Sequence, residues 1–233
     1  MIKSDVSPKT PNMKNYPNIF FDLDGTLVDS LPGIEKTLRA TLQAVGADPE
    51  TAPTFRPMVG YPLETVFSFL LGEGHPEVET AVRTYRRLYP ETGLPGTIPY
   101  EGIPEMLRSL QAGGKNLYIV TARNESMAGL ILKNHGLDGY ILSIRGERDG
   151  DGRENKADLV ADVLGNFNLN PSETVMIGDR RFDTEAARAN GCMAIGVTYG
   201  YGTREELAEG GTEVLADTPA ELANILHGKQ GQE

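Results

Sequence analysis

Short apolar runs recur along the chain, several of them ending in polar residues: Asn18-Ile19-Phe20-Phe21, Leu117-Tyr118-Ile119-Val120, Thr174-Val175-Met176-Ile177 and Met193-Ala194-Ile195-Gly196-Val197. Two weaker runs are Gly139-Tyr140-Ile141-Leu142 and Glu213-Val214-Leu215. Runs this short, rich in β-branched and aromatic residues, predict strands buried on both faces. Between them the spacing turns helical. Ile103, Met106, Leu107 and Leu110 mark one stripe that should stop near Gly113-Gly114; Met127, Leu130 and Ile131 mark a second that ends at Gly136; Leu159, Val160, Val163 and Leu164 mark a third. Strand–helix alternation from Gly102 to the C-terminus predicts a parallel sheet with helical crossovers.

Residues 30 to about 95 break the alternation. Asp29 or Ser30 is placed to N-cap a helix with Pro32 in its first turn and Leu38, Leu42 and Val45 on its apolar face. Leu63 to Leu71 and Val78 to Leu88 also read as helices, with no convincing strand among them. The expected architecture is α/β: a Rossmann-like parallel sheet core (17–29 and 97–233) with an inserted all-helical cap domain (30–96), returning through Gly93, Pro95, Gly96 and Pro99. Residues 1–16, with Pro8, Pro11 and scattered lysines, read as a disordered lead-in.

Composition narrows the partners. A net charge of −11 and a pI near 4.8 leave no basic excess for nucleic acid or an anionic membrane. An anionic substrate must then be held by a metal ion or a few placed cations. Cys192 is the single cysteine, no apolar run approaches membrane-span length, and the lysine-bearing start lacks the apolar segment of a secretory signal, so the expected location is cytoplasmic. Both a monomer and a homodimer are compatible with the chain.

In open parallel sheets, ligands bind beyond the carboxyl ends of the strands. Asp22 and Asp24, then Gly25-Thr26, follow the first strand; Thr121 follows the second; Gly178-Asp179-Arg180-Arg181-Phe182-Asp183 follows the Thr174 strand; Lys156 precedes a helix. Four carboxylates brought within a few Å repel one another unless they protonate or share a cation. An all-oxygen set without nearby His or Cys suits a hard cation, Mg²⁺ before Zn²⁺. Asp22 and Asp24 face one substrate only if the chain turns at once, as Gly25 permits. One carboxylate can then attack phosphorus while the other protonates the leaving oxygen.

Asp22-Leu23-Asp24-Gly25-Thr26-Leu27, Thr121, Lys156 and Gly178-Asp179-Arg180-Arg181-Phe182-Asp183 resemble the four ordered motifs of the haloacid dehalogenase superfamily, and the helical insert resembles the cap of its phosphoglycolate phosphatase-like branch. The similarity runs from about Asn18 to Leu226. It implies a Mg²⁺-dependent phosphatase of a small phosphorylated metabolite. Asp22 would form an aspartyl-phosphate, and Asp24 would act as general acid and then base. Thr121, Lys156 and the backbone amides of Leu23 and Ala122 would bind phosphate. Asp22, the Asp24 carbonyl and Asp179 would hold Mg²⁺, with Asp183 in support. Relatives commonly place Ser or Asn and then Lys where this chain has Ala122-Arg123. A guanidinium there can clasp a carboxylate or second phosphate, and Arg123 joins Arg56 as a possible substrate contact.

Each element has a bland counterpart. Paired aspartates after a strand usually cap or turn, a lone lysine is usually solvated, Asp183 could pair with an arginine, and Arg56 could form a surface salt bridge. His75, His135 and His227 are scattered, and Cys192 reads as a buried small residue. Two rival functions share these motifs: a phosphomutase of the β-phosphoglucomutase kind, and a catalytically silent binding or regulatory protein, which would be expected to have lost one of the four core residues. A dehalogenase fits less well, because Asp24 serves phosphate chemistry.

Overall fold

The computed structural model describes residues 12–50, 54–148, 155–212 and 214–228. Strand β1 (Asn18–Phe21) is buried along its whole length and leads through a tight turn into β2 (Val28–Asp29). Three helices follow, α1 (Leu31–Ala44), α2 (Leu63–Leu71) and α3 (Val78–Thr92), before β3 (Ile98–Pro99) pairs antiparallel with β2. The chain then alternates: α4 (Ile103–Ala112), β4 (Asn116–Asn124), α5 (Glu125–Asn134), β5 (Ser143–Glu147), α6 (Lys156–Asn166), β6 (Thr174–Gly178), α7 (Arg181–Ala189), β7 (Met193–Val197), α8 (Arg204–Glu209), β8 (Val214–Ala216) and α9 (Pro219–Leu226).

Six strands form one parallel sheet in the order β5-β4-β1-β6-β7-β8. Strand order reverses across β1, whose neighbours β4 and β6 are reached by connections running in opposite directions, and the crevice at that point is where such sheets bind ligands. Successive β1 side chains serve opposite faces: Ile19 and Phe21 join the cluster with α4, α5 and the cap helices, whereas Phe20 meets Leu159, Val163 and Ala187 of α6 and α7.

The expected α/β core with its helical insert is the fold observed. The weak run at Gly139–Leu142 is corrected: residues Asp138–Tyr140 form a single 3₁₀ turn, Leu142 is exposed, and the strand begins at Ser143. As an edge strand, β5 carries the polar sequence Ser143-Ile144-Arg145-Gly146-Glu147, which escapes a search for apolar runs. Glu213 lies outside the described residues, and β8 occupies the rest of its predicted run. Residues 1–11 of the expected lead-in lie outside too, but its last part is ordered. Met13 is buried in a 3₁₀ turn, and Lys115 Nζ donates to the carbonyls of Met13 and Tyr16 at 2.5 and 2.9 Å. Cys192 is only partly buried, just before β7.

Within the insert, α1 packs on α3 and α2 on α3 around Leu38, Leu42, Phe67 and Tyr85. The α1 N-terminus is capped from elsewhere in the chain. Ser30 provides no side-chain cap; the Tyr201 hydroxyl accepts from the N–H groups of Ser30 (2.7 Å) and Leu31 (2.9 Å) and donates to Asp29 Oδ1 (3.0 Å), which itself accepts from Leu31 N–H. A hydroxyl with two lone pairs and one proton fills all three roles.

Candidate active site

Directly after β1 the chain reverses. Leu23 O accepts from the amides of Leu27 (2.9 Å) and Val28 (3.1 Å), and Gly25 N–H donates to Val28 O (2.8 Å). Gly25 sits at φ 81°, and a Cβ there would lie 2.3 Å from Asp179 Oδ2. Only glycine meets both demands. The turn brings Asp22 and Asp24 to the same end of the sheet, as their spacing required.

Three carboxylates, those of Asp22, Asp179 and Asp183, are buried with one oxygen from each lying within 4.8 Å of the others. Asp179 Oδ2 accepts the Tyr201 amide at 2.7 Å. Asp183 caps the start of α7, its Oδ2 accepting Arg180 N–H at 3.0 Å, while its Oδ1 accepts from Lys156. Gly178 makes this possible, because a Cβ at that position would fall 2.0 Å from Asp183 Cγ. Lys156, the first residue of α6 after the Asn155 cap, also lies 3.0 Å from Asp22 Oδ1. That oxygen is buried and ion-paired yet makes no well-aligned hydrogen bond.

Burial dominates the ionisation of the group. It pushes the Asp22 carboxyl up to about 6 against the attraction of Lys156, with Asp183 and Asp24 adding to the rise. Burial, then Asp22 and Asp183, raise Asp179 well above the ordinary carboxylate range. Lys156 is held above its ordinary value because the attraction of Asp183 and Asp22 exceeds the penalty of burial. One ammonium is thus shared among too many buried acids. The under-bonded Asp22 oxygen and the all-carboxylate donor set fit a hard divalent cation placed among them.

Thr121 and Ala122 lie within β4, which runs on to Asn124, and not after the strand as expected. The pairing with β5 shifts register between Val120 and Asn124, and such an irregularity re-aims side chains. Thr121 is buried, its Oγ1 accepting Arg123 N–H at 3.2 Å. Asp22, Asp24, Thr121, Ala122 and Arg123 all line one cleft under the insert, whose other walls include Leu38, Val66, Tyr85 and Met127. Lys156 and Ala122 line an adjoining cleft that shares Gly60 and Tyr61 with the first. Asp24 does not point at the three-carboxylate group: both its oxygens accept from Arg123, Oδ2 from Nε and Oδ1 from Nη2, each at 2.7 Å.

Arg56, a possible substrate contact from the sequence, is bonded at the junction of insert and core. Its Nη2 donates to Gly200 O at 2.5 Å, its guanidinium lies over the Tyr201 ring, and it is not among the lining of either cleft. It fastens the insert to the core. Further straps are the Arg86–Glu147 pair at 2.6 Å, the Arg180 guanidinium on Val59 O, and an edge-on contact of Tyr61 with Phe182. Tyr201, Tyr85 and Tyr89 were not foreseen as part of this site. The signal for Tyr201 was its place in the Gly200-Tyr201-Gly202 segment; Tyr85 falls within the run read as a helix over Val78 to Leu88, Tyr89 lies just beyond it, and nothing in that run marks either for the site.

A family model described as haloacid dehalogenase-like hydrolase matches residues 19–197. A 5′-nucleotidase of Pseudomonas aeruginosa is 34% identical over 212 residues, 91% of this chain and 96% of that protein. A phosphoglycolate phosphatase of Vibrio vulnificus is 30% identical over 219 residues, 89% of this chain and 95% of that protein. The structure of a haloacid dehalogenase-like hydrolase from Streptococcus pneumoniae superposes with a TM-score of 0.81 at 30% identity, covering 90% of this chain and 97% of that one. With the family match spanning most of the chain and the four sequence motifs gathered at one sheet end, this protein belongs to the haloacid dehalogenase-like hydrolases.

Proposed function

We propose that the protein is a Mg²⁺-dependent phosphatase of small phosphate monoesters, acting through a phosphorylated Asp22. The observation that carries the reading is the buried set Asp22, Asp179 and Asp183 around the Lys156 ammonium, with an Asp22 oxygen that is ion-paired to it and has no aligned hydrogen bond among the described residues. Asp22, Asp179 and the Asp24 carbonyl would hold the cation, with Asp183, whose two oxygens already serve Lys156 and Arg180 N–H, in support. A bound Mg²⁺ neutralises the phosphate's charge and that of the carboxylates.

Asp22 attacks phosphorus as the bond to the leaving oxygen breaks, and Asp24 delivers a proton to that oxygen. In the second half Asp24 takes a proton from water, whose oxygen attacks the phosphorus of the aspartyl ester, releasing phosphate and restoring Asp22. Thr121, Lys156 and the Leu23 and Ala122 amides bind the phosphoryl oxygens. The insert covers the cleft and excludes bulk water, which strengthens each electrostatic contact inside. Relatives named as acting on phosphoglycolate and on nucleotides support phosphate ester hydrolysis and leave the ester open. The test is phosphate release from a panel of ~100 phosphorylated metabolites, with Mg²⁺ and with a chelator. No release from any ester in Mg²⁺ would sink the reading, and isomerised sugar phosphate without free phosphate would favour a mutase.

A further inference from the structure

The cleft beneath the insert has an unusual charge distribution. Its charged lining residues are Asp22, Asp24, Glu147 and Arg123; Lys156 pairs with Asp22 and Arg86 with Glu147, which leaves Arg123 to answer Asp24. Lys156 is engaged by Asp22 and Asp183 and opens on the adjoining cleft. Arg123 has a side chain only 7% exposed, and its guanidinium carbon lies over the Tyr89 ring of α3, 4.6 Å from the centroid. A guanidinium held over a ring face in a desolvated site is attracted by the ring's negative face. Of the five donors, Nε and one Nη2 hydrogen are directed at Asp24.

Asp24 is the group that must reach the leaving oxygen, yet both of its oxygens are turned to Arg123. An ester whose leaving group carried no charge would find Asp24 held in this fork. An ester with a second anion would offer the guanidinium a replacement partner, and Asp24 would be free to turn to the ester oxygen. Without that guanidinium the second anion would meet the Asp24 carboxylate in a site of low dielectric, where unscreened repulsion is severe.

Resting on the phosphatase reading, we infer that Arg123 is the specificity-determining residue of the cleft, selecting phosphate monoesters whose leaving group bears a second anionic group by exchanging Asp24 for that anion. The mainly aliphatic and aromatic walls, Ile34, Leu38, Val66 and Met127 among them, leave this fork as the cleft's anion reader.

The test is kcat/KM for size-matched pairs: 4-carboxyphenyl phosphate against phenyl phosphate, phosphoglycolate against ethyl phosphate, and propane-1,3-diol bisphosphate against propyl phosphate. The first two pairs probe a carboxylate and the third a second phosphate. Wild-type protein should favour the member carrying the second anionic group, in at least one kind, by about tenfold or more, as expected of one charge-assisted contact. Arg123→Gln should bring that ratio close to one, mostly through KM of the anionic ester, and Arg123→Lys should restore only part of it. The inference falls if wild type turns over both members equally, or if Arg123→Gln slows both members by the same factor. The wild-type comparison stands even where the variant folds poorly. If neither these esters nor any of the wider panel is hydrolysed, the phosphatase reading has failed; hydrolysis without preference for a second anion, in the pairs or across the panel, removes the role of Arg123 alone.

Discussion

Replacing Asp22 by Asn should abolish turnover while stabilising the metal-free fold. Asp22 is 4% exposed, and burial raises its carboxyl from the ordinary 3.8 to about 6. The folded state therefore resists ionisation more than the unfolded chain does. Below about pH 4 the group is protonated in both states and costs nothing. Between there and about 6 the unfolded chain ionises first, and stability is lost; above 6 the loss is complete. At 1.36 kcal/mol for each decade, the rise from 3.8 to about 6 corresponds to about 3 kcal/mol. Asn keeps the shape and removes the charge, but Lys156 loses one of its two carboxylate partners, so a net gain of about 1–3 kcal/mol is expected near pH 7.5. For a chain of this length that is a Tm increase of about 3 to 10 °C in chelator. Thermal unfolding of both proteins from pH 4 to 8, with and without Mg²⁺, measures it. The advantage of Asp22→Asn should shrink to nothing toward pH 4, and saturating Mg²⁺ should raise the wild type by about 2.7 kcal/mol at one hundred times Kd while moving the variant much less. A variant less stable than wild type in chelator at pH 7.5, or a difference independent of pH, would refute the account of a site held short of positive charge. Retained turnover would separately remove Asp22 from the nucleophile's place.

Other perturbations separate the remaining contacts. Lys156→Met should remove activity and cost about 3–5 kcal/mol in a urea titration at neutral pH, since it strands the Asp183 and Asp22 carboxylates in a buried site. Gly178→Ala places a methyl 2.0 Å from Asp183 Cγ; displacing that side chain should lower kcat at least tenfold and destabilise by about 1–3 kcal/mol, and near-wild-type behaviour in both assays would contradict the tight packing described. Tyr201→Phe leaves the Ser30 and Leu31 amides without their shared acceptor, and should cost about 1–3 kcal/mol, with hydrogen exchange speeding first at the start of α1.

What the sequence determined alone was the alternation of buried strands and amphipathic helices, and the residues that chemistry needs after β1 and β6. Those signals are local. A strand buried on both faces must be apolar throughout, and Asp22, Asp24, Asp179 and Asp183 stand within a few residues of such strands. Where the local rule weakened, so did the reading: β5 is a polar edge strand and was misplaced, and Thr121 sits inside β4 because the strand continues through an irregularity that leaves no apolar trace. Tertiary structure alone decided which distant groups meet. Tyr201 caps a helix some 170 residues earlier, Arg123 spans 99 residues to seize Asp24 and lies on Tyr89, and Arg56 reaches the carbonyl of Gly200. Side chains of this reach have many possible partners in sequence. The partner they take depends on which carbonyl, ring or carboxylate the folded backbone sets within about 3–5 Å, and a linear pattern carries no record of that distance.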